Sequence, residues 1–329
     1  MRQSTFFFVL STCAVTGTLL AAPANAYVRT RTATGCSPVF WAQSCIFMQP
    51  DSTLVDDMKP ADIERIIPAA MASWTSRTGG GFLKLHYLPP AGPKKAVFDG
   101  IPVIKFRTNS WCHEDTDPNG TPVCYSPAAT ALTTLTYVSQ PDDKTMDGKI
   151  LDADIELNSV YHHFYDADQP APRVTDGRPL VDLWNTLSHE LGHVQGFDHT
   201  CRRNPDPLSA CTTDDKGAPL PLCSEVEAHH LGSAALQQIY DTTMYPVSTA
   251  MEVSKRTPKA DDVAGVVKTY PLSSDPMLCS MPMNLDEGGS NSTGGGCTAA
   301  PQRPVGGATW LLPLLLAAAY LRRLRRFWV

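Results

Sequence analysis

Apolar residues recur along the chain with two different periods, and each change of period marks an element. In "KPADIERIIPAAMASWTSRTGGG" the spacing of Ile63, Ile66, Ile67, Ala70 and Trp74 places them on one helical face, and Gly79-Gly80-Gly81 ends the pattern. Pro68 falls inside it and predicts a kink or a division into two short pieces. The stretches "GFLKLHYLP" and "IPVIKFRTN" read as strands. So does "KILDADIELNSV", where Leu151, Ala153, Ile155 and Leu157 alternate with Asp152, Asp154, Glu156 and Asn158. A second helix is predicted over Leu180–Val194 and a third over "SEVEAHHLGSAALQQIY". A last, short one begins near Pro258, with Asp261 and Asp262 suited to its first turn. Helix, then strands, then helices predict an α+β fold with a mixed sheet.

Two further apolar runs, one near each end, read as processing signals. Arg2 precedes the run from Phe6 to Leu20, and Ala24-Asn25-Ala26 supplies small residues for a signal peptidase. Residues 1–26 are therefore expected to be a cleaved export signal, with an N-terminal anchor as the alternative. After the flexible "EGGSNSTGGG" come Cys297, the apolar "VGGATWLLPLLLAAAYL" and the arginines of "RRLRR". That order predicts a C-terminal sorting or retention tail whose arginines stay on the cytoplasmic side. The chain thus divides into a signal (1–26), one domain without internal repeats (27–271), a linker (272–296) and a tail (297–329).

Composition narrows the partners. With 329 residues, 43% of them hydrophobic, the chain can build a sizeable core, and a net charge of -6 argues against nucleic acid. Of ten cysteines, Cys13 leaves with the signal and Cys297 sits in the tail. The eight between them predict up to four disulfides, and short spacings favour Cys36–Cys45 and Cys112–Cys124. The expected product is an exported or surface-displayed monomer that meets a membrane only through its tail.

The candidate chemistry lies in "TLSHELGHVQGFDHT". His189 and His193 are four apart on the predicted second helix, so both imidazoles leave one face, as two ligands of one tetrahedral zinc require. Gly196 accepts a left-handed turn, after which the chain can double back and deliver His199 as a third ligand. Three protein ligands leave a fourth position for water, the mark of a catalytic zinc. Glu190 adjoins that position and is expected to serve as general base, then as proton shuttle to the leaving amine.

"HELGHVQGFDH" matches the metzincin pattern H-E-x-x-H-x-x-G-x-x-H, and "TTMYP" offers Met244 as the methionine turn. Within that clan the chain most resembles the matrixins, through "MYP", the upstream strand "DADIELN" and the closing "ADDVAGVVKTYP". The resemblance spans about Trp41 to Pro271. It implies a five-stranded mixed sheet packed on the active-site helix, with a smaller lower subdomain. It also implies that peptide substrate lies along an edge strand and that residues near Met244, Tyr245 and Pro246 wall the pocket beyond the scissile bond. No P-R-C-G cysteine switch precedes the domain. The long stretch from His199 to Met244, with Cys201, Cys211 and Cys223, is similar to that of disulfide-bearing relatives such as the adamalysins. The tail resembles MYXO-CTERM sorting signals, which implies a sorting protease acting near Cys297.

The expected function is a zinc-dependent endopeptidase acting on extended protein or peptide substrates. The alternatives are a zinc-containing binding protein without turnover, which intact Glu190 argues against, and a protease dedicated to its own linker or to a single partner. Two weaker signals concern calcium. Asp115, Asp117 and Asn119 before Gly120 form the first half of a calcium loop, but Ser126 stands where glutamate is needed, which favours a polar turn. Asp154 occupies the strand position that the resemblance associates with calcium, although Asp152, Asp154 and Glu156 also fit a solvated strand face. His162-His163 and His229-His230 read as surface pairs, because adjacent side chains point apart.

Overall fold

A computed structural model describes residues 26–281, apart from 54, 56, 117–119, 204–210, 212 and 215, together with a strand at Leu324–Trp328. Most of the proposed signal, linker and tail therefore lies outside the described residues. The main elements in chain order are β1 (Cys45–Pro50), α1 (Pro60–Arg77), β2 (Lys84–Tyr87), β3 (Val103–Arg107), β4 (Ala131–Val138) and β5 (Ile150–Asn158). They are followed by α2 (Leu183–Val194), α3 (Cys223–His229), α4 (Ala234–Tyr240), α5 (Ala260–Thr269) and β6 (Leu324–Trp328).

The sheet has the order β6-β4-β5-β3-β1-β2. β1 is parallel to β2 and β3, and β3 is parallel to β5, whereas β4 runs antiparallel to β5. The fold is thus the expected α+β with a mixed sheet, five strands of which come from β1 to β5. Beyond them β6 lies antiparallel along β4, from Leu324 opposite Val138 to Trp328 opposite Thr134. α1 and α2 pack against one face, where Ile46, Met48, Ile104, Leu135, Ile155 and Leu157 meet Ile66, Ile67, Trp74, Leu187 and Leu191. A second, smaller cluster gathers Cys201, Cys223, Val226 and Tyr245 in the C-terminal part of the chain.

α1 is one 18-residue helix rather than two pieces. Pro68 cannot donate to the Glu64 carbonyl, but six buried side chains on the core face hold the helix through that lost bond. The predicted second helix begins later than expected, because Leu180–Asp182 pairs in parallel with His163–Tyr165. The predicted third helix divides into α3 and α4 at a 3-10 turn, His230–Gly232, after which Ser233 caps α4.

Four disulfides join Cys36 to Cys211, Cys45 to Cys279, Cys112 to Cys124 and Cys201 to Cys223. The expected Cys112–Cys124 loop is present and the expected Cys36–Cys45 loop is not. The segment between Cys36 and Cys45 is pinned to the core instead, by Phe40 N to Gly148 O at 2.9 Å and Trp41 Nε1 to Val194 O at 2.6 Å. Four disulfides are at home in an oxidising compartment. Among the described residues no helix is long and apolar enough to cross a membrane.

Two histidines expected at the surface are buried: His162 is 6% and His163 is 7% exposed. His163 is gripped from both sides, by Asp57 at 2.6 Å on Nδ1 and by Asp176 at 2.8 Å on Nε2, which ties two loops together. His230 stacks on Tyr240 at a centroid distance of 3.9 Å, and His229 is exposed.

Candidate metal centre

Both ends of α2 are fixed by side chains from elsewhere in the fold. At its start Asp182 accepts from Asn185 N at 2.7 Å, and Arg256 holds the same carboxylate at 2.8 Å and 2.5 Å. At its end Trp41 Nε1 donates to Val194 O, and the Tyr270 hydroxyl donates to Gln195 O at 2.8 Å. Gly196 then takes φ +88°, and a Cβ there would lie 3.2 Å from Val39 O. The chain reverses, Phe197–Asp198 pairs with Val28–Arg29, and His199 arrives beside the helix.

The three imidazoles converge. His189 Nε2 lies 3.2 Å from His199 Nε2 and 3.2 Å from His193 Nε2. On the far side of the rings, His189 Nδ1 donates to Thr243 O and His193 Nδ1 donates to Phe197 O, each at 2.7 Å. Those bonds put the ring protons of His189 and His193 on Nδ1, so the bare lone pairs of these two face one another at Nε2. Such a cluster repels itself unless a cation sits between the nitrogens. Nitrogens roughly 2.0–2.1 Å from a tetrahedral zinc stand about 3.3 Å apart, which the observed spacing matches. Burial holds His189 and His199 well below the ordinary histidine pKa and His193 down to about 4, so the set stays neutral and ready to ligate. His189, His193 and His199 could therefore hold a metal ion.

The other such group among the described residues is Cys45, His86 and Cys279. Cys45 and Cys279 are joined in a disulfide and offer no thiolate. Asp154 belongs to neither group. Its Oδ1 accepts from Val103 N at 2.9 Å on the outer face of the sheet. That face is not solvated, since Asp152, Asp154 and Glu156 are 1%, 4% and 0% exposed. The Asp99 and Gly100 amides cap Asp152, and the Tyr125 hydroxyl donates to Glu156. Asp115 lies in the strand Cys112–Thr116, while Asp117 and Asn119 lie outside the described residues.

Met244 is 1% exposed and packs against Gly192 in α2. Its neighbour Thr243 receives the His189 bond at its carbonyl, and its amide donates to Asp262 Oδ2 in α5 at 2.9 Å. The closing helix thus steadies the turn that orients the first ligand. Tyr245 is 2% exposed within the second apolar cluster.

Glu190 lines a cleft of about 440 Å³ together with the three histidines, Thr130–Leu132 of the β4 side, and Pro246–Thr249 opposite. Burial raises its carboxyl to about 7, opposed by a hydrogen bond from Thr133 and by the nearby Lys255. Lys255 is itself buried, which lowers its ammonium to about 8, and it donates to Val247 O and Ser248 Oγ at 2.8 Å and 2.7 Å behind the cleft wall. Sequence reasoning did not find Thr133, Lys255, Trp41 or Tyr270. Thr133 had little signal, because Leu132 and Thr134 beside it break the alternation of the strand. Lys255, in a short charged loop, had none. No protein-family model and no curated protein matches the chain.

Proposed function

We propose that this chain is a zinc-dependent endopeptidase of metzincin type, exported and acting on extended peptide or protein substrates. The observation that carries the reading is the convergence of three imidazole Nε2 atoms, with that of His189 3.2 Å from each of the other two, in a cleft that also holds a glutamate. Zinc bound by His189, His193 and His199 would polarise the scissile carbonyl and acidify a bound water.

The chain's own residues supply the rest. Glu190, with its proton affinity raised towards neutrality by burial, takes a proton from the water as its oxygen attacks the carbonyl carbon. It then passes that proton to the amide nitrogen as the carbon–nitrogen bond breaks, so acid and amine products leave and the carboxylate is restored. Thr130–Leu132 precede the part of β4 that pairs with β6, which leaves their outer edge for main-chain bonding to a substrate strand. Pro246–Thr249 form the opposing wall, where a substrate side chain enters.

The test is metal content and casein cleavage by chain produced under oxidising conditions, beside Glu190→Ala and chelated protein. About one zinc per chain, with activity lost in both controls, is the expected result. Zinc without cleavage would shift the reading to a binding protein or a dedicated protease. Folded protein that binds no zinc would overturn it.

A further inference from the structure

Thr133 breaks the pattern of the face it occupies. β4 turns Ala131, Thr133, Leu135 and Tyr137 towards the core, and the other three are hydrophobic. Thr133 is fully buried, and valine would fill the same volume. Valine would lack the hydroxyl, whose Oγ1 donates to Glu190 Oε2 at 2.7 Å and lies 3.4 Å from the Glu190 carbonyl oxygen. Among the described residues no other group donates to the Glu190 carboxylate.

We propose that Thr133 is a positioning residue for Glu190: its hydroxyl pins one carboxylate oxygen, presents the other to the attacking water, and ties that orientation to the strand along which substrate pairs. The proposal rests on the peptidase reading. A glutamate side chain left without a partner in a buried site samples several rotamers, and only some face the water. A hydroxyl fixes one of them without adding charge. An ammonium or guanidinium at the same place would stabilise the carboxylate form and weaken it as a base. Thr133 directly follows the stretch of β4 that lines the cleft, so a substrate strand drawing on that edge acts on the backbone that carries the hydroxyl.

The experiment compares wild type, Thr133→Val and Thr133→Ser as zinc-loaded full chains on one quenched-fluorescence peptide. Thr133→Val is expected to lower kcat about 10–100-fold while KM stays within about twofold, and Thr133→Ser to restore most of the loss. A second readout is independent of turnover: a stability double-mutant cycle of Thr133→Val with Glu190→Ala, which removes the acceptor, in metal-free protein, expected to be non-additive. Wild-type kcat in Thr133→Val, equal losses in valine and serine variants, or additive stabilities would each overturn the positioning role. If wild type itself cleaves nothing while the cycle remains non-additive, the peptidase reading has failed rather than the Thr133–Glu190 contact.

Discussion

Gly192 and Met244 meet so closely that a Cβ built on the glycine would lie 2.2 Å from the methionine Sδ and 3.3 Å from the Trp74 ring. The methionine touches the helix between the turns that carry His189 and His193, and it is held by neighbours that also hold His189. Gly192→Ala should therefore push Met244 off the helix and disturb the ligands as well as the core. The expected cost is about 1–3 kcal/mol of stability, with zinc affinity lower by about 10–100-fold. Urea unfolding and a chelator-competition titration measure the two separately. Unchanged zinc affinity would reduce Met244 to ordinary core packing.

The acidic row on β5 makes stability fall as pH rises. Burial lifts Asp152 to about 6, Glu156 to about 7 and Asp154 well above the usual carboxylate value. Between the ordinary carboxylate range and those values the folded chain holds protons that the unfolded chain has released. The stabilisation is complete below about pH 4 and is lost as pH climbs through 6 to 7, worth about 1–3 kcal/mol for one such group. Measured against Asp152→Asn, which shares the opposing contribution of the neutral histidines, the urea midpoint of metal-free wild type should decline from pH 5 to pH 8. Asp152→Asn keeps an acceptor for the Asp99 and Gly100 amides but removes the charge, so it should flatten the decline. A slope identical to wild type would locate the effect elsewhere.

Metal should report directly on the histidine cluster. Zinc at a hundredfold its dissociation constant should add about 2.7 kcal/mol to folding stability, and chelation should reverse the gain. His193→Ala removes one of the three convergent nitrogens and should abolish most of the zinc-dependent shift in Tm, read by scanning fluorimetry. An equal shift in the variant would place the metal outside the cluster.

Pro68 offers a gain rather than a loss. It stands inside α1 and leaves the Glu64 carbonyl without its helical donor. Pro68→Ala should restore that bond and stabilise the protein by about 1–3 kcal/mol, seen as a higher urea midpoint. A lower midpoint would mean that the ring's packing outweighs the missing bond.

The parts of this fold legible in the sequence were those whose pattern is local. His189, His193, Gly196 and His199 lie within one helix and one turn, so spacing alone foretold their convergence. The strict alternation of β5 foretold a strand but not that its acidic side is buried, because the covering groups Gly100 and Tyr125 come from distant segments. β1 passed unnoticed since six mostly apolar residues fit a buried strand and a helix fragment equally well. β4 passed because its threonines blur the alternation. Trp41 and Tyr270 reach α2 across 153 and 75 residues of sequence, and no local pattern encodes a contact of that range.

The disulfide connectivity dictates an order of assembly. In a chain threaded N-terminus first into an oxidising compartment, Cys36 and Cys45 emerge together, long before Cys211 and Cys279, which lie 175 and 234 residues beyond their respective partners. The earliest available pairing is thus a non-native one, and a chain that made it would have to undo it by thiol exchange once the later cysteines arrive. Cys45 opens β1, the strand next to the β2 edge of the sheet, so a chain stalled short of residue 279 leaves that strand with an unmatched thiol. Completion of synthesis is thereby written into the covalent structure.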